Sequence, residues 1–178
     1  MISHQWAAIS GEVVQQVSLP QVGNLFALGG LELLQKPLLA VFSSVKCPAV
    51  LILKAHDTAR ELAASGQAVI GGFQSPAEKE MLTVLLRGPC PIVICPARGL
   101  EGMRIPAGWR PGLEAGQLLL VSAFPGSVKR PSEETVRARN RLMAQLASEV
   151  LVVHAEVGGK VSALLDEIRA GGKSVRFL

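Results

Sequence analysis

The chain has 178 residues, 49% of them hydrophobic and only 4% aromatic, with no tyrosine and a formal net charge of +4. That length and apolar content suffice for one sizeable core and a single domain, while the scarcity of aromatics argues against the base-stacking platform of single-strand binding folds. The modest basic excess is compatible with a polyanionic partner without requiring one, and Cys47, Cys90 and Cys95 lack the neighbours to complete a metal tetrahedron, so they read as buried thiols in a reducing compartment with no metal bound.

No uninterrupted apolar run approaches about 18 residues. Met1 to Trp6 has neither the basic flank nor the apolar core of a signal peptide. The expectation is a cytoplasmic, soluble protein without a membrane partner.

In chain order, residues 1–36 are expected to form an N-terminal lead-in packing on the domain, with an extended segment from Glu12 to Leu19. From Pro37 onward, apolar runs of strand length alternate with segments of helical period, the signature of βαβ units and a parallel sheet. The predicted strands are Leu38 to Phe42, Ala68 to Ile70, Pro91 to Cys95, Gln117 to Ser122, Val150 to His154 and Ser174 to Phe177. A helix from Pro48 to Ser65 carries Leu51, Ala55, Ala59 and Leu62 near one face. Ser75-Pro76-Ala77-Glu78 is a capping box with proline in the first turn, so a helix should run to about Leu86 and stop at Gly88. Arg98 to Pro111 interleaves glycine, proline and arginine without period and reads as an irregular loop. Ser132, followed by Glu133 and Glu134, marks another helix start, and Val161 to Ala170 a last helix ended by Gly171-Gly172. The fold class predicted is α/β, a Rossmann-like, doubly wound, mainly parallel sheet in a single domain over residues 37–178.

Three blocks in the right order and at the right distances resemble one family. Val22 to Leu34 followed by Pro37 to Phe42 is similar to its opening passage, Gly116 to Pro125 to its G-x-L-x-S-E-x-P passage, and Val136 to Ser148 before the Glu149 to Ala155 strand to its FPxRNRxIAxLS-like run. The family is DNA-processing protein A (DprA/Smf), within the broader SLOG/LOG-like Rossmann superfamily. The chain departs from it twice. Ser43-Ser44-Val45-Lys46 stands where the family has a Gly-Ser-Arg turn, and Gly71-Gly72-Phe73-Gln74-Ser75-Pro76 where it has a loop bearing an arginine and an acid. The resemblance implies binding of single-stranded DNA or a nucleotide without hydrolysis, in DNA uptake, natural transformation and recombination. It implies a recombinase partner, a homodimer and no cofactor. Two alternatives stay open: a nucleotide-sensing or nucleotide-processing LOG-like protein, and an interaction module without a ligand.

In an open parallel sheet the ligand sits beyond the carboxyl ends of the strands, where strand order reverses, so candidates are strand-to-helix junctions. Ser43, Ser44 and Lys46 offer two hydroxyls and an ammonium to a phosphate, or form an ordinary polar turn. Gly71 and Gly72 are either a cradle or a plain tight turn. Gly158 and Gly159 before Lys160 look like a helix-start phosphate site, though the Pro-Gly-Gly-x-Gly-Thr-x-x-Glu motif of the related phosphoribohydrolases is absent. Arg137 and Arg141 lie four apart and share a helix face with Asn140 beside them, and Arg139 is expected to point elsewhere. Their phosphate-binding role competes with pairing to Glu133 and Glu134. His154 reads as a hydrogen-bonded structural residue, and Lys129 and Arg130 as a solvated charge pair. No Ser-His-Asp or Cys-His set follows from spacing, so no catalytic residue is assigned and an enzyme is not expected.

Overall fold

The computed structural model describes residues 7–9 and 12–178. Strand β1 (Ala7–Ile9) pairs antiparallel with β2 (Glu12–Leu19), which turns at Gly23, in the left-handed region at φ 80°, into β3 (Gly23–Gly29). A 3-10 turn at Leu31–Gln35 leads to β4 (Leu39–Ser43) and helix α1 (Ala49–Ser65). Then come β5 (Val69–Gly71), α2 (Pro76–Leu85), β6 (Ile92–Ile94), the short α3 (Arg110–Glu114) and β7 (Leu118–Ser122). The chain continues through α4 (Glu133–Leu146), β8 (Glu149–His154), α5 (Lys160–Ala170) and β9 (Ser174–Phe177).

The strands form one sheet in the order β1-β2-β3-β7-β6-β5-β4-β8-β9. From β7 to β9 all neighbours are parallel, as the βα alternation predicts, and β3 joins antiparallel to β7, with Phe26 opposite Ser122. β1 and β3 have no counterpart among the predicted strands. β3 is a strand because β7 offers it an edge, which no local pattern announces. Within the predicted loop at Arg98 to Pro111, a 3-10 turn at Ala107–Trp109 runs into α3, whose Leu113 is buried beside Gly29.

Every parallel strand except the edge strand β9 is buried on both faces, so its residues alternate between two cores. Val41, Val69, Ile92, Leu120 and Leu151 meet α1 and α2 through Ala55, Ala59, Met81 and Leu85. Phe42, Ile70, Val93, Leu119 and Val152 meet α4 and α5 through Leu142, Met143, Leu164 and Ile168. The capping box expected at Ser75 and Glu78 forms on α2, and the helix start at Ser132 proves to be a second one, closed by Thr135 on α4.

The order matters for the site. From β4 the chain builds outward through β5, β6 and β7, then crosses back to lay β8 on β4's other side. The reversal therefore falls between β4 and β8, whose carboxyl ends must part into their loops. They are held at a fixed separation by Ser44 N donating to His154 O (2.8 Å) and Glu156 N donating to Ser44 Oγ (2.9 Å). His154 thus contributes through its backbone carbonyl.

Candidate functional site

A cavity of about 790 Å³ opens at this reversal, within the range of small-ligand sites. Its walls come from the loops after β4, β5, β6 and β8, from the inner side of α4, and from the first turn of α5.

Ser43 and Ser44 line it, both buried. Their backbone is held from below by α2. The Glu78 carboxylate, 6% exposed, accepts from Ser43 N through Oε1 (2.9 Å), and from Gln74 N (2.9 Å) and Ser75 N (3.2 Å) through Oε2. The residue that caps α2 therefore also fixes the β4 loop, 35 positions away. Lys46 is exposed, lies off the cavity wall, and sits 4.0 Å from Glu156.

Of the two glycines after β5, Gly71 lies under the ring of Phe73, where a Cβ would stand 2.6 Å from the ring. Phe73 itself is left-handed at φ 49°. Gly71 lies off the cavity wall, whereas Gly72 is part of it, with the Arg139 guanidinium so close that a Cβ would fall 1.8 Å from Nη1.

The arginines of α4 correct the sequence expectation. Arg137 and Arg141 are exposed and absent from the cavity wall. Arg141 makes a two-pronged bond to Glu167 of α5 through Nε (2.7 Å) and Nη2 (2.8 Å), which raises the pKa of its guanidinium and lowers that of Glu167. Arg139 is the arginine that enters. Only 5% exposed, it donates from Nε to Asn140 Oδ1 (2.7 Å) and from Nη1 to Cys95 O (3.2 Å). Burial draws its pKa below the ordinary arginine value, opposed by the neighbouring Glu78 charge. The signal that could have found it is the apolar stripe: Arg139, Leu142, Met143 and Leu146 follow the i, i+3, i+4, i+7 pattern of the sheet-facing side. Asn140 lines the cavity as expected.

Gly158, Gly159 and Lys160 form the wall at the start of α5. Gly158 is left-handed at φ 71°, and Gly159 occupies the N-cap without a side-chain cap, so first-turn N–H groups are left for a ligand. Lys160 Nζ sits 2.5 Å from Glu133 Oε1 at the rim, which lowers the Glu133 pKa. The sequence pattern also missed Met103 and Trp109, which form an apolar wall within the aperiodic loop. Cys95 is buried below, its thiol pushed up to about 12 by burial. Among the described residues no three His, Cys, Asp or Glu side chains converge as a metal site, and no helix is long and apolar enough to cross a membrane.

Because Arg137 and Arg141 stand outside the cavity, replacing both with alanine is expected to leave unchanged the calorimetric affinity for any ligand seated there. A marked loss would return them to the site.

The family model for DNA recombination-mediator protein A matches residues 12–163. Among solved structures, DNA processing protein A from Streptococcus pneumoniae is similar with TM-score 0.73 and 20% identity, over 88% of this chain and 55% of that one. This chain thus spans about half of the pneumococcal protein. The Helicobacter pylori protein, described for its single-stranded DNA binding mode, aligns with TM-score 0.71 and 18% identity, over 90% of this chain and 74% of that one. A molybdenum cofactor binding protein from Rippkaea orientalis shares the fold more distantly, with TM-score 0.56 and 10% identity over 80% of this chain and 76% of that one. The comparison with curated proteins gives no match. At such identities the structural likenesses speak for the fold, and it is the match over residues 12–163 that places this chain in the DNA recombination-mediator protein A family.

Proposed function

We propose that this chain binds single-stranded DNA non-catalytically, seating a phosphate-bearing nucleotide in the cavity between the ends of β4 and β8. The observation that carries the reading is the start of α5, where a cap without a side chain leaves N–H groups and Lys160 at a cavity that also receives Asn140 and Arg139. Backbone donors and the helix dipole favour an anion there. Ser43 and Ser44 line the same cavity, and Trp109 and Met103 supply an apolar wall suited to a base. Of the acids in the wall, Glu78 is engaged by three backbone N–H groups and Glu156 sits at the rim, an arrangement that suits binding better than proton transfer. Such binding would serve DNA processing and recombination during natural transformation in the cytoplasm, with a recombinase and a second copy of the chain as partners.

A free nucleotide is the second reading, favoured by the engagement of Arg141 with Glu167 and of Lys160 with Glu133, which leaves fewer cations to track a strand. Fluorescence anisotropy with a labelled oligothymidylate separates the two. For a strand, log affinity should fall with log salt at a slope of about −0.7 per phosphate neutralised. Salt-independent binding of a mononucleotide alone favours the second reading, and binding of neither overturns both.

A further inference from the structure

Arg139 is a buried cation whose direct partners carry no formal charge. Its two hydrogen bonds go to a backbone carbonyl and to an amide oxygen. The nearest acid that acts on it, Glu78, makes its own bonds to three backbone N–H groups and none to Arg139. Buried charges are ordinarily paired, because removing them from water costs several kcal/mol per ion even after relaxation. Nη2 makes no hydrogen bond among the described residues. Since among the described residues no polar side-chain atom is sealed from solvent without a partner, Nη2 opens on the cavity that Arg139 lines. Gly72 keeps it there, since a Cβ at that position would fall 1.8 Å from Nη1 and displace the guanidinium.

We infer that Arg139 reads a terminal phosphomonoester, the free phosphate of a mononucleotide or of a strand end, in preference to an internal phosphodiester. Resting on the phosphate-binding reading above, this names which phosphate the cavity selects. An internal phosphate carries a nucleoside on each side and leaves two unesterified oxygens, whereas a terminal monoester leaves three for hydrogen bonding. A monoester also brings the second negative charge that an unpaired guanidinium can bind through charge-assisted hydrogen bonds. The α5 N-terminus lies in the wall of the same cavity and adds donors for the remaining oxygens.

The test compares wild type with Arg139→Met, thermal melts establishing that the variant is folded. Probes are dAMP, deoxyadenosine, and one oligothymidylate carrying a 5′-phosphate, a 3′-phosphate, or hydroxyls at both ends. Wild type should bind dAMP at least about tenfold more tightly than deoxyadenosine, or a phosphorylated oligonucleotide by the same margin over its hydroxyl form, a ratio typical of losing one charge-assisted bond. A preference seen with dAMP alone identifies the free nucleotide as the source, and one seen with the oligonucleotides identifies strand ends. In Arg139→Met the preference should vanish, and if that variant fails to fold, the wild-type ratios decide. Equal binding of phosphorylated and unphosphorylated probes overturns the inference while leaving single-strand binding in place. Binding of no oligonucleotide and no nucleotide overturns the phosphate-binding reading itself.

Discussion

Replacing Glu78 with alanine is expected to lower the unfolding free energy by on the order of 3–5 kcal/mol, the largest single-residue effect in the site. The carboxylate is 6% exposed and accepts from Ser43, Gln74 and Ser75. Each buried backbone N–H left without an acceptor costs about 1–3 kcal/mol, less where water enters from the cavity. The capping box on α2 is lost in the same step, worth about 1 kcal/mol, and Arg139 loses the negative charge that favours its ionised form. Against a typical domain stability of about 5–15 kcal/mol this is a large fraction. Urea denaturation should show the midpoint falling sharply, and Glu78→Gln, which retains one carbonyl acceptor, should lie between. A change below about 1 kcal/mol would mean that the three donors find water and that Glu78 does not hold the β4 loop.

Gly72→Ala should come next, with a loss of about 3 kcal/mol and weakened ligand binding together. The added methyl group would stand 1.8 Å from Arg139 Nη1 and 2.3 Å from Cζ, so the guanidinium must move. Moving it strains the side chain and breaks its bonds to Asn140 and Cys95. The partner can be identified by a double-mutant cycle. If Arg139 is what the methyl group meets, Gly72→Ala in an Arg139→Met background should cost far less than in wild type. Equal costs in the two backgrounds would place the clash in the β5 turn itself, whose Phe73 is already left-handed at φ 49°.

Glu78 and Arg139 show where the amino-acid sequence is sufficient and where it is not. The six parallel strands, the capping box at Ser75-Glu78, the helix start at Ser132 and the stop at Gly171-Gly172 were legible because each depends on neighbours within about one helical turn or on a two-residue alternation. The doubly wound class followed from their order, and the candidate junctions from that class. Ser43, Ser44, Gly72, Asn140, Gly158 and Gly159 do come together at one cavity.

Only the tertiary structure decided which partners those residues found. Four-residue spacing grouped Arg137 with Arg141 on one face of α4, but spacing does not say which face meets the sheet. The apolar stripe turned Arg139 inward, against Gly72 and Cys95, 44 residues away from the latter, and left Arg141 to Glu167 across the gap to α5. Glu78 was readable as a cap and unreadable as the clamp on Ser43, since that bond exists only once β4 and β5 are neighbours. Likewise β3 is a strand because β7 presents a free edge to it. Local periodicity determined the elements and the edge on which the site lies. Pairings between residues tens of positions apart, set by strand order and by which stripe is buried, determined the cation at the cavity floor.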